Sequence, residues 1–138
     1  MSDIKLEVYL FFKGECRQAM EFYKSIFGGQ VNVTTYKDAG VNAEGTSPEW
    51  LMHASLEGSE VKLMGSDTAQ ASPEAKKVSL SLGGTDEARM REIFDQLSAG
   101  GKVFSALKKE AWGDLFGSFT DKYGVEWMMN IGAAKDGE

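Results

Sequence analysis

The chain has 138 residues, 42% hydrophobic and 26% charged, with a formal net charge of −6 and a pI of about 4.9. That length suits one domain, or two very small halves sharing a core, and the composition is that of an ordinary globular protein. The charge disfavours nucleic acid, because the densest basic stretch, Lys108-Lys109, runs at once into Glu110, and no apolar run of about 18 residues is present to span a membrane.

The opening "MSDIKLEVYLFF" is too polar at its start for a secretory signal and has no small-residue cleavage site. Cys16 is the only cysteine, so an internal disulfide is impossible and a cytoplasmic location is expected. "LEVYLFF" (6–12) alternates β-branched and aromatic residues and reads as a strand. In "KGECRQAMEFYKSIF" the residues Ala19, Phe22, Tyr23 and Ile26 recur at helical spacing, and Gly28-Gly29 stops the helix. "QVNVTTYK" reads as the next strand, "KDAGVNAEGTSPEW" (37–50) as a long loop, and "EWLMHASLEG" with "SEVKLMGSD" as a hairpin turning near Gly58-Ser59. "SDTAQASPEAKK" carries small and polar residues around Pro73 and reads as a linker.

After the linker the order restarts. "KVSLSLGG" (77–84) is a strand, and "TDEARMREIFDQLSA" a helix that Thr85 or Asp86 can cap. Its stripe of Met90, Ile93, Phe94 and Leu97 is the first stripe moved by 71 residues (19 to 90), and Gly100-Gly101 again follows. "KVFSALKKEA", "LFGSFTD" and "VEWMMNI" complete three more strands. Each half is therefore β-α-β-β-β. A half of roughly 65 residues buries too little apolar surface alone, so the two are expected to share an interface. The expected organisation is one α+β domain over 1–138, with modules 4–67 and 77–131, a linker at 68–76 and a tail at 132–138.

The stretches "YLFFKGECRQAMEFYKSIFGG", "MHASLEG", "LMGSD", "AGGKV" and above all "WGDLFGSFTDKYGVEWMMNI" resemble the PhnB-like branch of the vicinal oxygen chelate superfamily. That superfamily includes glyoxalase I, bleomycin-resistance proteins and extradiol dioxygenases, and the resemblance covers nearly the whole chain. It implies two tandem βαβββ modules forming a curled mixed sheet, whose concave face is a small-molecule pocket, and a homodimer helped by Met128 and Met129. The branch also carries a 3-demethylubiquinone methyltransferase label. No Gly-rich loop after a strand and no doubly wound pattern support S-adenosylmethionine binding.

Strand alternation splits each strand into two faces. Leu6, Val8, Leu10 and Phe12; Met52, Ala54 and Leu56; Val61 and Leu63; Val78, Leu80 and Leu82; and Val125, Trp127, Met129 and Ile131 are apolar and are expected to carry the helices. The opposite faces hold Glu7, Tyr9 and Phe11; Leu51, His53 and Ser55; Lys62, Met64 and Ser66; Lys77, Ser79 and Ser81; and Glu126, Met128 and Asn130. This polar-aromatic set is either simple solvent surface or the pocket the resemblance implies.

The resemblance further implies one metal ligand from each of four strands. Matched by strand register, these fall at Glu7, Lys62, Lys77 and Met128. Two ammonium groups and a thioether do not suit a divalent ion, so no metal and no cofactor are expected. Glu7, Lys62 and Lys77 instead form an internal ion-pair cluster, or leave a lysine free for an anionic ligand, with Tyr9, Phe11 and a tryptophan as walls. His53, the only histidine, is a structural residue or a general base. Trp112 sits at a turn as a pocket lid or an interface residue. Asp114 and Asp121 serve turns, and Phe119 and Tyr123 fill core. Cys16, at a helix start beside Arg17, is expected to have some thiolate character.

The leading expectation is a metal-free protein that binds an aromatic or anionic small molecule. The alternative is a metal-dependent isomerase, lyase or dioxygenase holding a divalent metal. Whether any reaction is catalysed stays open at this stage.

Overall fold

In the computed structural model, residues 7–58, 60–70 and 78–132 are described. Lys77, most of the expected linker, Ser59 of the hairpin turn and the tail beyond Gly132 lie outside the described residues. The chain divides into two compact units, Met1–Ser72 and Pro73–Glu138.

The first unit runs β1 (Tyr9–Phe12), α1 (Cys16–Phe27), β2 (Gln30–Thr35), α2 (Tyr36–Ala39), β3 (Leu51–Glu57) and β4 (Lys62–Asp67). Its sheet has the order β1-β4-β3-β2, with β1 parallel to β4 and the other pairs antiparallel. The second unit runs β5 (Leu80–Gly84), α3 (Glu87–Ser98), β6 (Lys102–Lys109), β7 (Leu115–Thr120) and β8 (Glu126–Ile131). Its order, β5-β8-β7-β6, repeats the same pairing pattern. The βαβββ repeat expected from the two helix stripes is thus present in both units.

The helices form where apolar spacing directs them. α1 buries Cys16, Ala19, Met20, Tyr23, Ile26 and Phe27 and packs on β2, β3 and β4. α3 buries Met90, Ile93, Phe94 and Leu97, and Asp86 is its cap, its carboxylate accepting the Arg89 N–H. The sheet sides under them hold Ala54, Leu56 and Leu63 in one unit and Phe119, Trp127, Met129 and Ile131 in the other, all buried. Each large apolar side chain buried this way contributes about 1.5–3 kcal/mol. Phe94 meets Phe119 edge-on, ring centroids 4.8 Å apart.

Three sequence expectations give way. The 37–50 loop begins with the short helix α2, which Thr35 caps by accepting the Asp38 N–H; Tyr36, Lys37 and Trp50 then hold backbone bonds to Trp50, Pro48 and Ser47. Leu51 is buried rather than on the polar face. The β2–β3 register skips Met52, and that bulge turns Leu51 to the core. Val78 is 75% exposed rather than apolar core, because β5 starts only at Leu80, leaving Val78 and Ser79 ahead of the strand.

Two buried carboxylates fasten the units internally. Asp67 Oδ1 accepts N–H groups from Gly14 (2.8 Å) and Cys16 (2.9 Å), while Oδ2 accepts that of Leu51 (3.0 Å). Asp121 accepts the N–H of Tyr123 and Val125 and the indole N–H of Trp127. Asp121 is therefore the turn residue the sequence suggests. Tyr123 beside it is half-buried rather than core.

Candidate functional site

Cross-strand partners share a face, so the ladders fix which residues meet opposite the helices. Tyr9, Met64, Ser55 and Asn32 form one rung across β1-β4-β3-β2. Ser81, Met128, Ser118 and Ser105 form the corresponding rung across β5-β8-β7-β6. Each unit thus places a methionine on its fourth strand beside a serine on its third. In the next rung Phe11 pairs with Ser66 and His53 with Thr34; its counterpart runs Gly83, Asn130, Phe116 and Lys108.

In the first unit the sequence-derived residues Tyr9, Phe11 and His53 come together. The Tyr9 and Phe11 rings stack, with centroids 5.3 Å apart at 27°. The Tyr9 hydroxyl shares a hydrogen bond with His53 Nδ1 at 2.9 Å, and the two rings lie 5.7 Å apart. Tyr9 is 39% and Phe11 61% exposed, so the cluster is open to solvent. Partial burial, more than the neighbouring Cys16 and Tyr36, raises the Tyr9 pKa.

In the second unit the Trp112 indole N–H donates to Asn130 Oδ1 (3.3 Å), and Asn130 Nδ2 donates to Asp114 Oδ2 (2.9 Å). Trp112 stands edge-on to Phe116 at 6.0 Å. Asp114 therefore orients Asn130 as well as closing a turn.

The expected ion-pair cluster is not what holds Lys62. Its Nζ lies 3.5 Å from Glu57 Oε1, the cross-strand neighbour, with both side chains more than half exposed. Such a surface pair contributes about 0.2–1 kcal/mol. Glu7 is exposed just ahead of β1, and Lys77 lies outside the described residues. Met129 is fully buried, so of the two methionines assigned to a dimer contact only the half-buried Met128 has surface to offer. Cys16 is also buried. Burial, with the Asp67 carboxylate beside it, pushes its thiol up to about 12, opposing the lowering expected from the helix start and Arg17.

Sequence reasoning missed Asn32, Ser105, Phe116, Ser118 and Lys108. The β6–β7 register shifts twice, between Val103 and Ser105 and again before Lys108, so simple alternation along β6 does not reveal its faces. The alternation of "LFGSFT" would have revealed Phe116 and Ser118.

The donor set tests the metal that the scaffold would imply. The β5 residue opposite Met128 is Ser81 rather than Lys77, and the β1 residue opposite Met64 is Tyr9. Of the four positions the resemblance implies, Lys62 carries an ammonium group that faces Glu57 and Met128 a thioether, neither of which fits a divalent cation, while Glu7 stands exposed ahead of β1. Among the described residues, no three His, Cys, Asp or Glu side chains group closely enough to hold one.

The sequence model of the family described as 3-demethylubiquinone-9 3-methyltransferase matches residues 4–130. The chain is 30% identical over 138 residues to "Protein YjdN" of Escherichia coli K12, covering 91% of this chain and 94% of that one. Among solved structures it is similar to protein PA1353 from Pseudomonas aeruginosa, with a TM-score of 0.84 and 32% identity over 96% of this chain and 100% of the other. The PhnB protein from Bacillus cereus gives a TM-score of 0.77 and 25% identity, covering 94% and 100%. A bleomycin resistance determinant encoded on the transposon Tn5, 15% identical with a TM-score of 0.57 over 95% and 99% of the two chains, shares the fold.

Proposed function

The chain belongs to the 3-demethylubiquinone-9 3-methyltransferase family, PhnB-like members of the glyoxalase/bleomycin resistance superfamily, and we propose that it binds an aromatic small molecule without a metal ion. The observation that carries this reading is the Tyr9–Phe11–His53 cluster: two stacked, exposed rings with one hydroxyl fixed to an imidazole. Flat apolar surface with a few placed polar groups is how small-molecule sites are built. Of the aromatic and anionic options, the aromatic one is better supported. The anionic one rests on lysines, and Lys62 already faces Glu57.

Methyl transfer is not favoured despite the family description. Neither unit is doubly wound, and neither strand-to-helix turn, "KGE" or "GGTD", is a Gly-rich loop of the dinucleotide-binding kind. The Lys62 ammonium group and the Met128 thioether, at two of the positions where the resemblance implies metal ligands, favour binding without a divalent ion there.

Thermal shift against a panel of flat aromatic compounds tests the reading. A compound that binds the folded state raises Tm by mass action, the more so the further its concentration exceeds its Kd. Hits are expected with the unmodified chain and are lost in Phe11→Ser. A panel without a stabilising compound, or hits indifferent to Phe11→Ser and Tyr9→Ala, would count against the site.

A further inference from the structure

Resting on this binding reading, we infer that the Tyr9 hydroxyl is a specificity-determining group whose hydrogen-bond polarity is set by the protonation of His53: it offers a ligand an acceptor when the imidazole is neutral and a donor when the imidazole is charged. The Tyr9 hydroxyl oxygen and His53 Nδ1 are 2.9 Å apart. The phenol ring is held on both sides, stacked on Phe11 at 5.3 Å and tilted by 51° to the His53 ring at 5.7 Å. The hydroxyl therefore stays beside Nδ1.

A phenol has one hydrogen and two lone pairs, and a neutral imidazole has one N–H and one bare nitrogen. The bare nitrogen is far more basic than a phenol oxygen. The neutral pair therefore settles with the Tyr9 O–H donating to Nδ1 and the His53 hydrogen on Nε2. The phenol hydrogen is then taken, and its oxygen has only lone pairs left for a ligand. An imidazolium carries a hydrogen on both nitrogens. Nδ1 then donates to Tyr9, and the phenol hydrogen is released. Tyr9 is 39% exposed, so a ligand can reach it.

Histidine is the side chain that ordinarily changes charge between about pH 5 and 8. The charged groups around His53 leave that role to it among the described residues. β2 has no titratable side chain. On β4, Lys62 is two rungs from His53 and faces Glu57, while the Asp67 carboxylate is occupied by the N–H groups of Gly14, Cys16 and Leu51. Glu7 is exposed ahead of β1. On α2 the Tyr36 hydroxyl donates to Asp67 O, and Lys37 and Asp38 are exposed. α1 packs on the other side of the sheet, with Cys16 and Tyr23 buried there and Arg17, Glu21 and Lys24 in solvent.

Indole, with an N–H and no ring acceptor, and coumarin, with a carbonyl and no donor, are suitable probes, since neither ionises in that range. In calorimetric titrations, lowering the pH from about 8 to about 5 is expected to strengthen coumarin and weaken indole, each by about threefold to tenfold, the worth of one hydrogen bond. Tyr9→Phe, which keeps the stacked ring, should remove both trends, and so should His53→Gln, whose amide does not titrate. A second readout needs no ligand. His53 is the only histidine, so nitrogen NMR reports it alone. Its Nδ1 should be bare at about pH 8, with a signal that moves in Tyr9→Phe. By linkage, saturating coumarin should raise the pH at which this imidazole titrates, and indole should lower it. Affinities that move together with pH, or opposite trends that persist in Tyr9→Phe, would overturn this inference and leave aromatic binding standing. A hydrogen on Nδ1 at about pH 8 would overturn it without reference to any ligand. Binding of neither probe at either pH would overturn the aromatic reading as well.

Discussion

Asp67 caps a helix from a strand fifty residues away. Glu15, at the α1 N-terminus, makes no side-chain cap, and Asp67 Oδ1 takes the N–H groups of Gly14 and Cys16 instead. The other oxygen holds Leu51, whose place in the core depends on the bulge beside it. Asp67→Asn keeps the shape but leaves one acceptor oxygen for three donors. A buried donor left unpaired costs about 1–3 kcal/mol, so urea unfolding of this variant should show a loss of that size. An unchanged midpoint would show the carboxylate to be dispensable. Burial, aided by the same carboxylate, explains why the sequence misleads about the Cys16 thiol: Arg17 is adjacent in the chain, whereas the burial and Asp67 are visible only once the strand is folded back. With a folded pKa of about 12 against 9.0, the unfolded state gives up its proton first. Stability from this group is therefore complete below about pH 9 and declines as pH rises toward 12. Cys16→Ala should flatten that alkaline decline, whatever its effect at neutral pH, and the native thiol should resist alkylation until the chain unfolds. Rapid alkylation of the native protein at neutral pH would contradict the buried placement.

At the scale of elements, the repeated Gly-Gly has two separate causes. Gly28 ends α1 at φ +77° with open space where a Cβ would go, so its requirement is conformational. Gly29, at φ +100°, also lies against the end of β3, where an added Cβ would stand 2.5 Å from Glu57 O. Gly101 in the second unit likewise abuts the backbone of Thr120 and Asp121 at the end of β7. Gly28→Ala should cost about 1–3 kcal/mol for the strained backbone alone. Gly29→Ala should cost clearly more, since backbone must move as well, and urea unfolding of the pair would resolve the order. Equal losses would mean that the close approach to β3 is relieved without effort. The helices and the succession of strands along the chain were legible because their periodicity is strong and both units repeat it. The short α2, the late start of β5 and the bulges at Met52 and along β6 were not, because each is set by a partner strand rather than by local pattern. For the candidate site, alternation found Tyr9, Phe11, His53 and Asn130 on the strand faces opposite the buried ones. It could not find the bonds joining Tyr9 to His53 or Trp112 to Asn130, which span 44 and 18 residues.

At the scale of the whole molecule, the chain shares a scaffold with relatives whose names range from a methyltransferase description to a bleomycin resistance determinant, so the residues on the sheet faces must decide its role. Among the described residues no helix is long and apolar enough to cross a membrane. We propose that the protein works as a homodimer, which light scattering would report as twice the chain mass; a monomer at working concentration would refute it. The central claim proposed here is binding of an aromatic small molecule without a metal ion. Its most direct test is a fluorescence titration of chelator-dialysed protein with a flat aromatic ligand, repeated after adding back divalent zinc, manganese, nickel or iron. The expected result is saturable binding of the same affinity in every titration. Binding that is absent after chelation and restored by one of these ions would contradict it.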